Sequence, residues 1–167
     1  ETYGGSILWV AIHAVDFMRW VGGFEYTQVA ALHGNTVKTE YPGCEDTGGI
    51  LFQLSNGGTG IVSLDYLRPS SAGTHGDARL RIVGSEGVVE MTDSGARATM
   101  IREGTETGDL PLNKPGNLLI DLVGEIRGES THIIASNEST YVTRICLLAR
   151  DAADRNEILP IPAPQPL

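Results

Sequence analysis

The stretch that decides the fold is Ile50–Tyr66, with the sequence ILFQLSNGGTGIVSLDY. Apolar residues occupy every second position on either side of its centre: Ile50, Phe52 and Leu54 first, then Val62, Leu64 and Tyr66. The central Asn56-Gly57-Gly58 supplies the positive φ angles of a tight hairpin turn. Two strands that each carry one half-polar face predict an antiparallel sheet that is covered on one side only.

Further strands are predicted on both sides of this hairpin. Leu80–Val83 and Val88–Thr92 flank a turn at Gly84-Ser85-Glu86-Gly87 and form a second hairpin. The remaining predicted strands are Thr27–His33, Ala98–Arg102 and Ile158–Ile161. We expect the strands of both hairpins to share one sheet with one uncovered face.

Helices are predicted near the two ends of the chain. Ile7–Val21 is apolar nearly all round, so we expect it to be buried, and Gly22-Gly23 ends it. Leu118–Ile126 keeps helical spacing and stops before Gly128. A last helix begins at Ser136 or Asn137, and its apolar stripe consists of Tyr141, Ile145, Leu148, Ala149 and Ala152.

Helices that are segregated from an antiparallel sheet predict an α+β fold. We expect a single domain over residues 1–167 with an open, mainly antiparallel sheet and helices on one face. A proline-rich tail at 160–167 follows, which cannot be helical.

The composition excludes several classes of function. Among 167 residues, 21 are acidic and 12 basic, giving a formal charge of −9. This charge opposes binding to nucleic acid or to an anionic membrane, both of which need clustered Lys and Arg. No run of 18 or more apolar residues occurs, so we predict no transmembrane helix.

The two cysteines, Cys44 and Cys146, lie far apart and lack the spacing of zinc ligands. We therefore predict no metal site, and we favour free thiols in a reducing, cytoplasmic compartment over a disulfide. Neither GxGxxG nor GxxxxGK[ST] occurs, so no phosphate-binding loop is predicted in this chain.

Polar residues on the first helix form the first candidate site. His13, Asp16 and Arg19 are spaced by three, which places them on one slanting ridge. A histidine near a carboxylate can act as a general acid or base. The alternative is a polar cluster that fixes helix packing.

Two further groups are weaker candidates. The loop 68–79 contains Arg68 and His75 as candidate substrate contacts, or it is a solvated connection. The outer sheet face suits a subunit interface or plain solvent exposure; its members are Gln53, Ser63, Asp65, Arg79 and Arg81. His33 and His132 have no carboxylate or cysteine at metal-ligand spacing.

The order of these pieces resembles the Gfo/Idh/MocA family, the group of glucose–fructose oxidoreductase and inositol dehydrogenase. The most specific stretch is GGSILWVAIHAVDFMRWVG at 4–22, which is similar to the family's helix motif GG-x-L-x-D-x-G-x-H-x-x-D-x-x-R-W-L-x-G. Three later stretches are also similar: the hairpin from Glu45 to Leu67, RLRIVGSEGV at 79–88, and Asp121–Arg127 with the helix at Tyr141–Asp154.

The resemblance implies a C-terminal α+β domain, like that of dihydrodipicolinate reductase, which supplies a substrate floor and an open sheet for oligomerisation. NAD or NADP would be bound by an N-terminal Rossmann domain that this chain lacks. His13 matches the family's catalytic His, and Asp16 matches a helix residue whose role is mainly structural. Trp9 stands where many members have Asp, and Ala11 where many have Gly. Trp9 would therefore form a flat wall for a sugar ring, or pack where the chain needs no second proton carrier.

We therefore expect the C-terminal domain of an NAD(P)-dependent oxidoreductase that acts on a sugar or polyol-like alcohol. His13 would assist proton transfer, with Trp9, Asp16, Arg68 and His75 on the substrate side. We expect the isolated chain to be inactive, to form a homo-oligomer through its open sheet face, and to be a piece of a longer protein. The alternative is a non-catalytic ligand-binding or assembly module with the same fold.

Overall fold

The computed structural model describes residues 5–41, 43–130, 134 and 136–164. His132 and the end of the proline-rich tail at 165–167 lie outside these residues. The chain divides into two compact units: Glu1–Ala72 with Ser136–Leu167, and Gly73–Ala135. This division into units does not test the expectation of a single domain over residues 1–167, which stays a prediction.

An antiparallel sheet of four strands forms the centre of the first unit. Its strands are β1 (Tyr26–Gly34), β2 (Thr47–Leu54), β3 (Thr59–Asp65) and β8 (Leu159–Pro160), in the order β3-β2-β1-β8. The first hairpin forms as predicted, with Gly57 at φ +87° in its turn. Side chains alternate between the two faces along each strand, so the sheet has one buried face and one open face.

Helices cover the buried face. A π-helical segment, Ile7–Ala11, continues into α1 (Ile12–Gly22), and α3 (Ser136–Arg155) packs against both and against β1. The core consists of sheet and helix residues that are almost wholly inaccessible: Ile7, Val15, Tyr26, Val29, Ile50, Phe52, Val142 and Ile145. The Tyr26 hydroxyl donates to the Val15 carbonyl oxygen at 2.8 Å, which fixes α1 on the sheet.

Gly60 of β3 leaves room for the Met18 side chain of α1 to pack on the sheet. A side-chain carbon at Gly60 of β3 would lie 2.9 Å from the terminal methyl of Met18, closer than two such carbons pack. Gly23 then ends α1 in the left-handed conformation, with φ +64°, and its N–H donates to the Arg19 carbonyl at 2.9 Å. The predicted end of the helix is therefore confirmed.

The second unit has its own antiparallel sheet and one helix. The strands are β4 (Leu80–Gly84), β5 (Gly87–Thr92), β6 (Arg97–Arg102) and β7 (Gly108–Asp109), in chain order across the sheet. A short 3-10 turn, Asp93–Gly95, connects β5 to β6. Helix α2 (Leu118–Ile126) follows, capped by the Asn117 side chain, which accepts hydrogen bonds from the N–H of Leu119 and Ile120.

The α+β class and the open antiparallel arrangement are confirmed, whereas two details of the prediction are wrong. Leu80–Val83 does not join the sheet of the first hairpin, because β4 pairs with its sequence neighbour β5 after the long loop 66–79. Arg79 and Arg81 therefore do not share a face with Gln53, Ser63 and Asp65.

The first helix is not buried all round. Trp20 is 65% exposed, and Trp9 and Val21 are exposed as well. The physical reason is that the sheet and α3 cover only the side of α1 that carries Val15 and Met18. The remaining apolar side of this helix faces away from the described core.

No helix among the described residues is long and apolar enough to span a bilayer. Both cysteines are free thiols. Cys146 is buried in α3, and this burial, together with the nearby charge of Asp16, raises its pKa to about 12. Its thiol is therefore a packing group rather than a nucleophile.

Candidate active site

His13 lies on the exposed side of α1, one residue into the regular helix. At 100° per residue, His13, Phe17 and Trp20 fall within a 60° arc, while Val15 and Met18 lie on the opposite side. The burial of Val15 and Met18 against the sheet therefore directs the His13 arc outward. An exposed imidazole on a helix that the core holds in place can exchange a proton with a bound molecule.

The ridge predicted from His13, Asp16 and Arg19 runs from the surface into the structure. His13 is exposed, Asp16 is half-buried, and the Arg19 side chain is only 13% exposed. Each step of three residues turns the helix by 60° toward its packed side, as the spacing predicts. One end of the ridge, at His13, is accessible as a general acid or base would need to be. The other end, at Arg19, is a packing cluster.

Arg19 is the centre of that packing cluster. Its Nε and Nη2 donate to both carboxylate oxygens of Glu25, each at 2.7 Å, and its Nη1 donates to Glu138 of α3. The guanidinium also lies 5.1 Å from the centre of the Tyr141 ring. The hydrogen bonds with Glu25 raise the pKa of Arg19, and those contacts tie α1 to β1 and α3.

Asp16 lies between these two ends. Its charge acts on the Tyr26 hydroxyl and on the Cys146 thiol, raising the pKa of both groups alongside the larger effect of burial. Asp16 is therefore half-buried and close enough to the packed side of α1 to act on these two groups. This placement agrees with a mainly structural role and leaves its proposed substrate contact a prediction.

Trp9 lies in the π-helical segment, four residues before His13, and is 61% exposed. The sequence analysis assumed α-helical spacing between these two residues. The wider turn with i→i+5 bonding changes the angle between Trp9 and His13, and such turns recur at functional sites. Both side chains are nevertheless exposed near the junction of the π-helical segment with α1.

Arg68 and His75 lie outside this helix. Both are exposed residues of the loop between β3 and β4, with Arg68 in the first unit and His75 in the second. Within the same loop, Arg79 pairs with Asp77 at 3.0 Å on the surface. The described geometry brings Trp9, His13 and Asp16 onto one helical segment but provides no such link for Arg68 and His75, whose roles stay predictions.

A second histidine has acidic partners that the sequence did not indicate. His33 of β1 lies with Nε2 3.1 Å from Asp154 of α3 and Nδ1 3.4 Å from Glu45. The two carboxylates approach opposite nitrogens of the ring, so they do not converge on one metal position. No cluster of His, Cys, Asp or Glu suited to a metal occurs among the described residues.

A shallow depression of about 450 Å³ lies at one end of the first sheet. Its lining comes from β1, β2, β3 and the turn that follows, and includes His33, Gly49, Ser63 and Asp65. None of its lining residues belongs to α1. The depression is therefore separate from the accessible side of His13.

The described residues contain no dinucleotide-binding unit of the Rossmann type. Every strand pairing among the described residues is antiparallel, so no parallel βαβ unit is present there to hold a pyrophosphate. The turn Gly84-Ser85-Glu86-Gly87 joins two strands of a hairpin rather than a strand and a helix.

The fold is of α+β type, with an open antiparallel sheet and an accessible histidine on its first helix. A family profile described as the GFO/IDH/MocA C-terminal domain matches residues 1–90, more than half of the chain. The chain belongs to this family, as its C-terminal domain. A comparison with curated proteins finds no match.

Solved structures agree with this assignment. A Thermotoga maritima protein assigned as an oxidoreductase is 37% identical, with a TM-score of 0.91 over 96% of this chain and 48% of its own. An inositol dehydrogenase homologue from Azotobacter vinelandii, in complex with NADH and myo-inositol, is 16% identical, with a TM-score of 0.71 over 93% of this chain and 50% of its own.

An aldose-aldose oxidoreductase from Caulobacter crescentus, complexed with glycerol, is 18% identical, with a TM-score of 0.74 over 89% of this chain and 45% of its own. At these lower identities the likeness supports the fold alone. The chain spans about half the length of the solved proteins that it matches.

Proposed function

We propose that this chain is the substrate-side domain of an NAD(P)-dependent oxidoreductase that acts on a sugar or polyol-like alcohol, in which His13 takes up the proton of the reacting hydroxyl. The observation that carries the proposal is the exposed imidazole of His13, held outward by the packing of Val15 and Met18 on the sheet. Family membership supports it, since relatives were solved with NADH and with sugars or polyols.

The chemistry divides between this domain and residues outside it. Oxidation of an alcohol to a carbonyl removes a proton from oxygen and a hydride from carbon. His13 is the group of this domain that receives the proton, through a neutral ring nitrogen. The hydride acceptor, NAD or NADP, belongs to a dinucleotide-binding domain that these residues do not supply.

Steady-state kinetics on the complete polypeptide that carries this domain test the proposal. Replacing His13 with Ala should lower kcat/KM by roughly 10²–10⁴-fold, the usual contribution of a general acid or base. Val21→Ala, an exposed change on the same helix, should leave kcat/KM near that of the wild type. Wild-type turnover in His13→Ala, with Tm unchanged, would refute the catalytic role.

The second candidate is a non-catalytic ligand-binding or assembly module. The observation in its favour is the open sheet face, where Leu32, Leu51 and Ile61 are exposed apolar residues. This candidate requires no chemistry at His13. It gains support if the complete polypeptide oxidises no sugar or polyol with either dinucleotide while still binding one of these compounds.

A further inference from the structure

His33 lies where three segments of the first unit meet. It follows Val29 and Ala31 on the face of β1 that the helices cover. Its Nε2 lies 3.1 Å from Asp154 in the last turn of α3, and its Nδ1 lies 3.4 Å from Glu45 in the loop before β2. The Glu45 side chain is only 10% exposed, whereas that of Asp154 is 55% exposed. The imidazole therefore joins a strand, a loop and a helix through one buried and one accessible carboxylate.

Glu45 also contacts the start of the first helix. Gly5 precedes the π-helical segment with a positive φ of +91°, and a side-chain carbon there would collide with the carboxylate of Glu45. The Gly5 carbonyl accepts a hydrogen bond from the Trp9 N–H at 3.0 Å, which closes the first turn. The carboxylate thus packs against the backbone of this turn, and the contact between His33 and Glu45 connects the turn to β1.

The placement of the two carboxylates matches a cationic imidazole better than a neutral one. A neutral ring has one N–H and one lone pair, so in either tautomer one of the carboxylates would face a lone pair. The cationic ring has an N–H on each nitrogen. Nδ1 of His33 is buried and makes no hydrogen bond among the described residues, so a proton there would meet chiefly the charge of Glu45.

Other charged groups on the neighbouring elements have different surroundings. Asp46, in the same loop, accepts three backbone N–H groups. On α3, Arg150 and Asp151 lie 3.8 Å from each other, and Arg155 is exposed at the end of the helix. The strand positions beside His33 on β2 and β3 are uncharged, as is the π-helical segment. The charge of the ring is therefore balanced by the two carboxylates that flank it.

We infer that His33 is a pH-sensitive link in the first unit: its cationic ring pairs with Glu45 and Asp154 and holds the start of the first helix and the end of α3 on β1. Loss of the ring's proton leaves one carboxylate facing a lone pair and loosens these contacts. The charge of a histidine ordinarily changes between about pH 5 and 8, while carboxylates stay ionised. The stabilisation is therefore present toward the acidic end of this range and is lost as the pH rises.

This inference does not depend on the proposed function, because it concerns the folded domain and no reaction. Hydrogen–deuterium exchange on the complete polypeptide tests it, with labelling times scaled for the pH dependence of intrinsic amide exchange. We expect the amides of residues 9–13 and 150–157 to exchange roughly tenfold faster at about pH 8 than at about pH 5.5, the size of charged hydrogen bonds after solvent weakening. Peptides from β5 and β6 of the second unit should show no such change.

Three variants assign the pH dependence to the cluster. His33→Gln removes the titrating ring, so it should abolish the pH dependence in both segments. Glu45→Gln should reduce it mainly in residues 9–13, because Glu45 is the carboxylate that packs on the first turn. Asp154→Asn should reduce it mainly in residues 150–157, because Asp154 belongs to the end of α3.

His13→Gln is the matched control, since His13 is an exposed histidine of the first helix that lies outside the cluster. It should keep the wild-type pH dependence. Exchange that stays constant in the wild type across this range would overturn the inference, as would a pH dependence that survives in His33→Gln or disappears in His13→Gln. Should His33→Gln fail to fold, an unchanged pH dependence in both Glu45→Gln and Asp154→Asn would overturn it equally.

Discussion

Asp46 lies in an environment that several hydrogen bonds define. It lies just before β2, its side chain is fully buried, and its carboxylate accepts from the backbone N–H of Thr36, Val37 and Lys38 and from the Thr36 hydroxyl, at 2.6–3.1 Å. Its own N–H donates to the Gly34 carbonyl at 2.9 Å. Asp46 therefore closes the loop that leaves β1.

The charged form of Asp46 stabilises the fold. Burial acts to raise its pKa, but the N–H groups of Lys38, Thr36 and Val37 outweigh burial and lower the pKa from 3.8 to about 2. Because the folded-state pKa lies below the unfolded one, the stabilisation is fully present above about pH 4 and is lost as the pH falls toward 2.

Asp46→Asn should lower the Tm at neutral pH. The variant replaces one carboxylate oxygen, which accepts hydrogen bonds, with an NH₂ group that would face N–H donors. The difference from the wild type should shrink as the pH falls from about 4 to about 2, where the wild type loses the same charge. Asp65→Asn is the control, since Asp65 is exposed and accepts a backbone hydrogen bond from Leu67. Tm curves for Asp46→Asn and the wild type that stay parallel across this range would contradict the prediction.

At the scale of elements, Arg19 joins α1 to the start of β1 and to α3. Its planar guanidinium makes a two-bond contact with Glu25 and a third contact with Glu138, which a lysine ammonium cannot reproduce together. Both glutamates are more than a third exposed, so solvent weakens each pair. The geometry of the cluster, rather than its charge alone, is what should stabilise the helix pair.

Arg19→Lys should therefore reduce the free energy of unfolding by about 1–2 kcal/mol, the scale of charged hydrogen bonds after solvent weakening. Urea unfolding measures this change. Arg79→Lys is the matched control, because Arg79 makes the same two-bond contact with Asp77 on the open surface, where the expected change is near zero. An equal loss of unfolding free energy in the two variants would show that burial and the link to α3 add nothing to stability.

The elements themselves follow from local sequence patterns. Ile50, Phe52 and Leu54 predict a strand with one buried face because the period of two is a property of the extended backbone, and the structure buries all three. Helix α2 also follows from local features, its helical spacing and the Asn117 cap, although none of its residues is buried. The end of α1 at Gly23 is also local, since it needs only a residue that accepts positive φ.

What the sequence did not predict depends on contacts between distant residues. Whether β4 joins β3 or β5 is decided by loop length and competition between partners, which a strand pattern does not encode. The contacts of His33 with Glu45 and Asp154 join a strand, a loop and a helix that are far apart in the chain. The exposure of Trp9 likewise depends on what covers the helix, so apolar composition alone predicted burial wrongly.

At the scale of the whole molecule, the open face of the first sheet is an exposed apolar surface that a partner can cover. Ala30, Leu51 and Ile61 form one cross-strand row on this face, and Leu32 lies beside it next to Gly49. Leu51 is 49% exposed and Ile61 73% exposed. The polar residues Gln28, Gln53 and Ser63 border the apolar row, which gives the face an apolar centre with a polar rim.

We expect this face to associate with the same face of a second copy, because a twofold axis brings one apolar row onto another without leaving an unmatched surface. Sedimentation of the chain at about 100 μM, far above a micromolar dissociation constant, should give at least a dimer. Ile61→Asp should shift it to monomer, because it places a charge in the centre of the row, where desolvation is most costly. Ile126→Asp, at an equally exposed residue of α2, should leave the dimer intact. A wild-type monomer at this concentration, or equal dissociation in both variants, would contradict assembly through this face.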